Sequence, residues 1–246
     1  IGTKISVSNI DGLRVANDKL KLLTFMQGRG YPCARFYSVR TLNELDEAVI
    51  KLGYPQKKVC VKATNASGSR GFRILNANIS LYDKFFNEKP SSSEIKFEEF
   101  RKILAEKENF PELLIMEYLS GTEFTVDALA DNGKVLECCC RKGLRMENSI
   151  MLDSQVVKRT DIEELCANII ADLSLDGNIG FDIKEKSDGT PIIMECNPRI
   201  TAGIPVFDYA GVNLPYLCVK KILGEELPKS ITEYGLVVKR RWQEMV

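Results

Sequence analysis

The chain has 246 residues, of which 44% are apolar and 28% charged. That composition excludes a disordered protein and leaves room for one large domain or two lobes, each with its own core. Its 34 basic and 34 acidic residues cancel, which argues against a broad nucleic-acid surface, and the absence of histidine removes Ser-His-Asp and Cys-His nucleophile systems and His-zinc sites.

The first predicted element is a helix over residues 11–30, with Leu13, Leu20, Leu23 and Phe25 among its apolar positions and Gly28 and Gly30 as stop signals. The run TLNE at 41–44 is a capping box that opens a second helix ending near Gly53. KKVCVKA is a strand, TNASGSRG at 64–71 a loop of small residues, and FRIL a further extended segment. SSSE at 91–94 precedes a charged amphipathic helix to about Lys107, and ELLIMEYL at 112–119 is a buried strand. EFTVDALA and KVLECCCR flank Asp131–Asn132–Gly133, a hairpin signal. TDIE at 160–163 caps a helix to about Leu175, after which NIGFDIKEK and PIIMECN flank Asp188–Gly189 as a second hairpin. Residues 213–223 form a helix stopped by Gly224, and YGLVVKRRW is a last strand. Interleaved helices and strands, with two hairpins that make part of the sheet antiparallel, indicate an α+β fold in two or three lobes.

Of the eight cysteines, none forms a CxxC pair, so zinc spacing is absent. Cys138–Cys139–Cys140 reads as part of a buried strand, because free cysteine behaves as a small hydrophobe. A reducing, cytoplasmic location is expected. No apolar run approaches the roughly 20 residues of a membrane span.

The second hairpin brings chemistry together. If Asp188–Gly189 are the loop residues, Lys186 pairs with Pro191 and Asp182 stands opposite Glu195; a four-residue loop over 187–190 gives the same register, whereas a three-residue loop shifts it. Asn197 then shares the face of Glu195. Facing carboxylates repel unless a cation lies between them. Two carboxylates and an amide oxygen suit Mg²⁺, which takes one or two carboxylates plus substrate phosphates. The alternative is that Asp182 and Glu195 face water, offset by Arg199 or Lys184.

Lys62 ends an apolar strand and leads into the small-residue loop, where Gly68 and Gly71 permit close backbone approach and Ser69 and Arg70 add donors. No GxxxxGK[ST] motif is present, and a plain turn between two strands explains the loop equally well. Glu123 follows the turn at Gly121, placed either to accept two ribose hydroxyls or as an exposed acid at a strand start.

Taken in order, Lys62 with GSRG, MEYLSGTEFTVD, and GFDIKEKSDGTPIIMECNPR resemble the ATP-grasp superfamily, in particular the large chain of carbamoyl-phosphate synthase and related carboxylate-amine ligases. NDK at 17–19 and AGVNLPYLCVKKILGEELP at 210–228 resemble flanking segments of these enzymes. The resemblance implies two α+β lobes gripping ATP, with largely antiparallel sheets. It implies an N-terminal helical segment over 1–36, a small lid lobe over 37–115 and a large lobe with the metal site over 116–246. Lys19 and Lys62 would contact ATP phosphates, and Ser67, Gly68, Ser69, Arg70 and Gly71 would close over them. Met116, Glu117, Tyr118 and Leu119 would line the adenine pocket, with backbone groups of Glu117 and Leu119 reading its edge, and Glu123 would hold the ribose. Asp182, Glu195 and Asn197 would hold Mg²⁺, with Mn²⁺ as a substitute. Arg199, Lys62 and Arg141 would act on the transferred phosphoryl group or an anionic substrate, with Arg145 nearby. Ala63 stands where the family commonly has proline, and Ala66 where it has glycine.

The implied activity is ATP-dependent activation of a small carboxylate or bicarbonate as an acyl phosphate, attacked by an amine or other nucleophile. Neither nucleic acid nor membrane is an expected partner. The family usually carries a further domain ahead of the grasp region, expected here on a separate subunit or cut away; a homo-oligomer is the other expected assembly. The alternative function is a nucleotide-binding regulatory or partner subunit without turnover of its own.

Overall fold

The computed structural model describes residues 2–64, 71–87, 93–147, 150–241 and 243. Two compact units divide the chain: Cys33–Leu119 form one, and Ile1–Pro32 with Ser120–Val246 form the other. The N-terminal helical segment expected to stand apart is therefore largely part of the second unit, and Met116–Leu119 close the first.

The helix expected over 11–30 is two helices, α1 (Ile10–Ala16) and α2 (Lys19–Gly28). The break lies at Asn17–Asp18. Asp18 is extended, and its carboxylate accepts from the amides of Leu20 and Lys21 at 3.0 Å each. A helix start leaves amides without partners, and an aspartate in front of them stabilises it by roughly 1 kcal/mol. The signal was present in N-D-K, and it makes Lys19 the first residue of α2.

The first unit follows as β1 (Phe36–Val39), α3 (Leu42–Lys51), β2 (Val59–Ala63), β3 (Phe72–Leu75), α4 (Leu81–Asn87), β4 (Glu94–Ile95), α5 (Phe97–Ala105) and β5 (Leu113–Glu117). The expected capping box forms: the Thr41 hydroxyl accepts from the Glu44 amide at 3.2 Å, and the Glu44 carboxylate from the Thr41 amide at 3.0 Å. The sheet order is β1-β5-β2-β3-β4, antiparallel except between β3 and β4. Leu45 and Val49 of α3 and Phe100 of α5 pack with Val59, Val61, Leu113 and Ile115 in one core. Strand alternation then turns Cys60, Lys62, Leu114 and Met116 to the opposite face.

The second unit continues with β6 (Glu123–Asp131), β7 (Lys134–Glu147), β8 (Ile150–Val157), α6 (Thr160–Asp172), β9 (Gly177–Glu185), β10 (Pro191–Asn197), α7 (Pro205–Tyr209), α8 (Leu214–Leu223) and β11 (Val237–Lys239). Its six strands run β10-β9-β6-β7-β8-β11, each pair antiparallel. Asp131 pairs with Lys134 across Asn132 and Gly133, both at positive φ, the two-residue turn expected from Asn-Gly. Thr160 is the first residue of α6 rather than its cap, and Arg159 precedes it without a side-chain capping bond.

The three consecutive cysteines divide between the faces of β7. Cys139 joins the core made with Phe207, Leu214 and Leu217 of α7 and α8, while Cys138 and Cys140 are electrostatic neighbours of Cys166 on α6. Helices thus cover both faces of this sheet. Burial pushes the Cys139 and Cys140 thiols up to about 12, so they are packing groups rather than nucleophiles. Among the described residues, no helix is long and apolar enough to cross a membrane.

Candidate active site

The turn of the second hairpin has three residues, not two or four. The Lys186 amide donates to the Thr190 carbonyl at 2.9 Å, and Gly189, at φ +86°, supplies the left-handed residue that closes such loops. Pro191 consequently pairs with Glu185, where the expectation had Lys186. A three-residue turn alone would put the carboxylates out of step. The ladder slips once more between Ile193, which faces Ile183, and Glu195, which faces Asp182, leaving Met194 as the extra residue of a β-bulge. Turn and bulge each move the register by one residue, and the pairing of Asp182 with Glu195 survives.

Register across the sheet shows what shares that face. One row runs Glu195, Asp182, Thr125, Arg141 and Val156; the next runs Asn197, Gly180, Asp127 and Cys139. Residues in register on neighbouring strands point the same way, as do residues two apart on one strand. The three proposed oxygen ligands thus stand on the same face as Arg141.

The charges are arranged around them. Lys19 places Nζ 3.3 Å from Glu195 Oε1. Arg199 donates from Nη2 to Asn197 Oδ1 at 3.1 Å and from Nη1 to the Ile200 carbonyl at 3.0 Å. Glu123 is paired with Lys184, Nζ to Oε1 2.8 Å. Arg145 lies apart from this row, paired with Asp153 at 3.4 Å.

Arg141 is only 5% exposed, and its Nε and Nη1 make no hydrogen bond among the described residues. Burial pulls its guanidinium below the ordinary value. A buried guanidinium with unused donors is costly, and an anionic group supplying acceptors would relieve it. Asp127 is 1% exposed, and burial pushes its carboxyl up to about 6 although Thr201 and Arg141 pull the other way.

Residues of the first unit meet their expectations unevenly. Lys62 lies over the Phe72 ring, 5.9 Å from its centroid. Gly71 has φ +66°, and its carbonyl accepts from the Ala63 amide at 2.9 Å. A proline at 63 would have no amide to give, which fits this chain's departure from the family pattern. Ser67, Gly68, Ser69 and Arg70 lie outside the described residues. Met116 and Leu119 are buried, and Lys58 lies 5.6 Å from the Tyr118 ring centroid. The Glu117 amide is already committed to the Arg35 carbonyl at 3.0 Å, and its carboxylate to the Arg35 amide at 3.0 Å and Nε at 3.3 Å. That amide is therefore not available to read an adenine edge.

The donor set suits a hard divalent ion held partly by substrate. Among the described residues no group of three or more His, Cys, Asp or Glu forms a metal cage. Two carboxylates and one amide oxygen, with phosphate oxygens completing the shell, is the arrangement Mg²⁺ accepts. Sequence reasoning missed Thr125, Asp127 and Thr201. For Asp127 the signal was available: an aspartate inside the apolar run VDALA, in phase with Glu123.

This architecture is that of the ATP-grasp fold. The ADP complex of PurK, N5-carboxyaminoimidazole ribonucleotide synthetase, superposes with a TM-score of 0.66 at 18% identity, over 92% of this chain and 56% of that one. The biotin carboxylase domain of 2-oxoglutarate carboxylase from Hydrogenobacter thermophilus, solved with MgADP, ADP and bicarbonate, gives 0.69 at 18% identity, over 94% of this chain and 51% of that one. The chain belongs to the ATP-grasp family: the family model described as ATP-grasp in the biosynthetic pathway with Ter operon matches residues 109–244. It is also 24% identical over 250 residues to the carbamoyl phosphate synthase large chain of Clostridium acetobutylicum, covering 97% of this chain and 21% of that protein. The corresponding chain of Thermomicrobium roseum is 25% identical over 238 residues, 92% of this chain and 20% of its own length. The chain thus spans about a fifth of the length of these relatives.

Proposed function

We propose that the chain is an ATP- and Mg²⁺-dependent ligase that activates a small carboxylate or bicarbonate as an acyl phosphate for attack by an amine. The observation that carries this reading is the facing pair Asp182 and Glu195, with Lys19 on Glu195 and, on the same sheet face, the Arg141 guanidinium whose Nε and Nη1 make no hydrogen bond among the described residues. The magnesium ion, when bound, neutralises phosphate charge as it shifts during transfer.

In this reading Lys19 and Lys62 bind ATP phosphates, and Glu123 holds the ribose. Met116, Tyr118 and Leu119 receive the adenine, and residues 67–71 cover the phosphates. Asp182, Glu195 and Asn197 are the metal ligands, for Mg²⁺ or Mn²⁺. An acceptor carboxylate oxygen attacks the γ-phosphorus and ADP leaves. The amine then attacks the acyl carbon, phosphate leaves with the C–O bond electrons, and the amine gives up a proton. Arg141 and Arg199 stabilise the anions on both sides of these steps by fixed positive charge. No step needs histidine. A further domain, on a separate subunit or on a longer form of this chain, is proposed to complete the acceptor side.

Phosphate release from Mg²⁺-ATP, with bicarbonate and with a panel of amino acids, tests the reading. Acceptor-dependent release supports it. Binding of Mg²⁺-ATP without release under any acceptor supports a nucleotide-binding subunit instead.

A further inference from the structure

The segment after β10 carries Arg199 and is held down at a point beyond it. Thr201 donates its hydroxyl to Asp127 Oδ1 at 2.7 Å, and the same hydroxyl oxygen accepts from the Gly203 amide at 3.3 Å. Asp127 itself is buried in the middle of β6, flanked in register by Gly180 of β9 and Cys139 of β7. The fit leaves no slack. A Cβ on Gly180 would lie 2.1 Å from Thr201 Cγ2 and 3.1 Å from Asp127 Oδ1. A Cβ on Gly203 would lie 2.0 Å from Arg141 Nη2. At the other end, Arg199 closes a tight turn over Pro198, its amide donating to the Asn197 carbonyl at 2.7 Å, and grips the Asn197 amide oxygen. The strand end and its arginine therefore have two anchorages, the ladder of β10 on one side and Asp127 on the other.

We propose that Asp127 and Thr201 form a clasp whose role is to position Asn197 and Arg199 for phosphoryl transfer. The inference rests on the ligase reading above. Neither residue touches the reacting atoms; both are positioning residues acting through the three residues that link Asn197 to Thr201. The two glycines allow the clasp to lie flat on the sheet, with Gly203 seated against Arg141. A guanidinium displaced by about 1 Å from its working position can cost about a hundredfold in rate.

The test compares Thr201→Val, which keeps the shape and loses the hydroxyl, with Thr201→Ser, which keeps the donor. Expected for Thr201→Val is a fall in kcat of about a hundredfold with the dissociation constant for ATP, measured without divalent metal, within about twofold of wild type. Thr201→Ser should recover turnover to within about threefold, a rescue that a purely structural role would not produce in kcat alone. Asp127→Leu combined with Thr201→Val should be no slower than the slower single variant, because both remove one contact. If Asp127→Leu fails to fold, the valine and serine variants decide by themselves. Independently of turnover, Mn²⁺ titrated into the complex with a non-hydrolysable ATP analogue should bind about tenfold more weakly in Thr201→Val, since Asn197 is displaced. Wild-type turnover and Mn²⁺ affinity in Thr201→Val, or a serine variant as slow as the valine one, overturn the clasp while leaving the ligase reading intact. A wild-type chain that neither binds Mg²⁺-ATP nor releases phosphate overturns both.

Discussion

Lys19 Nζ stands 3.3 Å from Glu195 Oε1, so the first residue of α2 neutralises one member of the facing carboxylate pair. The lysine expected to bind phosphate and the carboxylate expected to bind metal are engaged with each other. Under the proposed function, arrival of Mg²⁺-ATP would exchange this pair for two new ones, lysine with phosphate and glutamate with metal. The lysine side chain is 15% exposed and the glutamate 38%, so the exchange occurs at the edge of solvent, where an ion pair contributes about 1 kcal/mol or less.

Glu195→Gln should therefore change stability very little and activity very much. It removes the repulsion with Asp182, which stabilises, and the attraction to Lys19, which destabilises. The two nearly cancel, and the urea midpoint without metal should move by no more than about 0.5 kcal/mol equivalent. Mg²⁺-dependent phosphate release should fall by orders of magnitude. Unchanged turnover refutes the metal assignment.

Lys19→Met should strengthen binding of Mg²⁺ alone, because Glu195 is released, and weaken binding of ATP. Calorimetric titration of each ligand separately checks the opposite signs. A loss of both affinities would indicate that Lys19 only holds α2 in place.

Mg²⁺-ATP should raise the thermal midpoint by mass action, corresponding to about 2.7 kcal/mol when the nucleotide is present at a hundred times its dissociation constant. GTP should do little. A midpoint unmoved by millimolar Mg²⁺-ATP sinks the nucleotide reading.

Asp127 predicts a pH dependence. Burial raises its carboxyl from an ordinary 3.8 to about 6 in the folded protein. The unfolded chain ionises first as pH rises, so this residue's contribution to stability is complete below pH 3.8 and is lost as pH climbs to about 6. At about 1.4 kcal/mol per pKa unit the loss is on the order of 3 kcal/mol. Asp127→Asn should flatten the metal-free stability profile across that window, measured as urea midpoints at pH 4 and pH 7. An unchanged profile would show that the carboxyl titrates normally.

Gly71→Ala tests the joint between β2 and β3. Its φ of +66° strains any other residue, and the added methyl would lie 2.6 Å from Ala63 Cβ. A cost of about 1–3 kcal/mol in urea is expected, with weaker nucleotide binding beyond that cost if this joint carries the phosphate loop.

Much of this was legible because it was local. The capping box at Thr41 and the Asn132–Gly133 turn depend on residues within a few positions of each other, and both formed as read. The pairing of Asp182 with Glu195 was read correctly through two offsetting errors: turn length and bulge were each missed by one residue. Nothing in PIIMECN marks Met194 as extra, since a bulge is decided by what each side of the ladder buries. The division of α1 from α2 was written in Asp18 but hidden by a continuous apolar pattern. β1, β4 and α7 are too short for periodicity to register. Asp127 and Thr201 are 74 positions apart, and only the folded sheet brings them together.

The bulge at Met194 also sets how this hairpin can vary. Between Pro191 and Ile193 the strand keeps time with the turn; from Glu195 onward it keeps time with β9 at the carboxylates. Met194 is the slack between the two rhythms. A residue added to or removed from the 187–189 turn can be taken up by shifting the bulge or healing it, without moving Glu195 or Asn197. Deleting Met194 would heal the bulge: Ile193 would still face Ile183 and Glu195 would still face Asp182, so the carboxylate pair keeps its register. The exposed tip and the single methionine behind it are thereby both places where the hairpin can change length while Glu195 keeps facing Asp182.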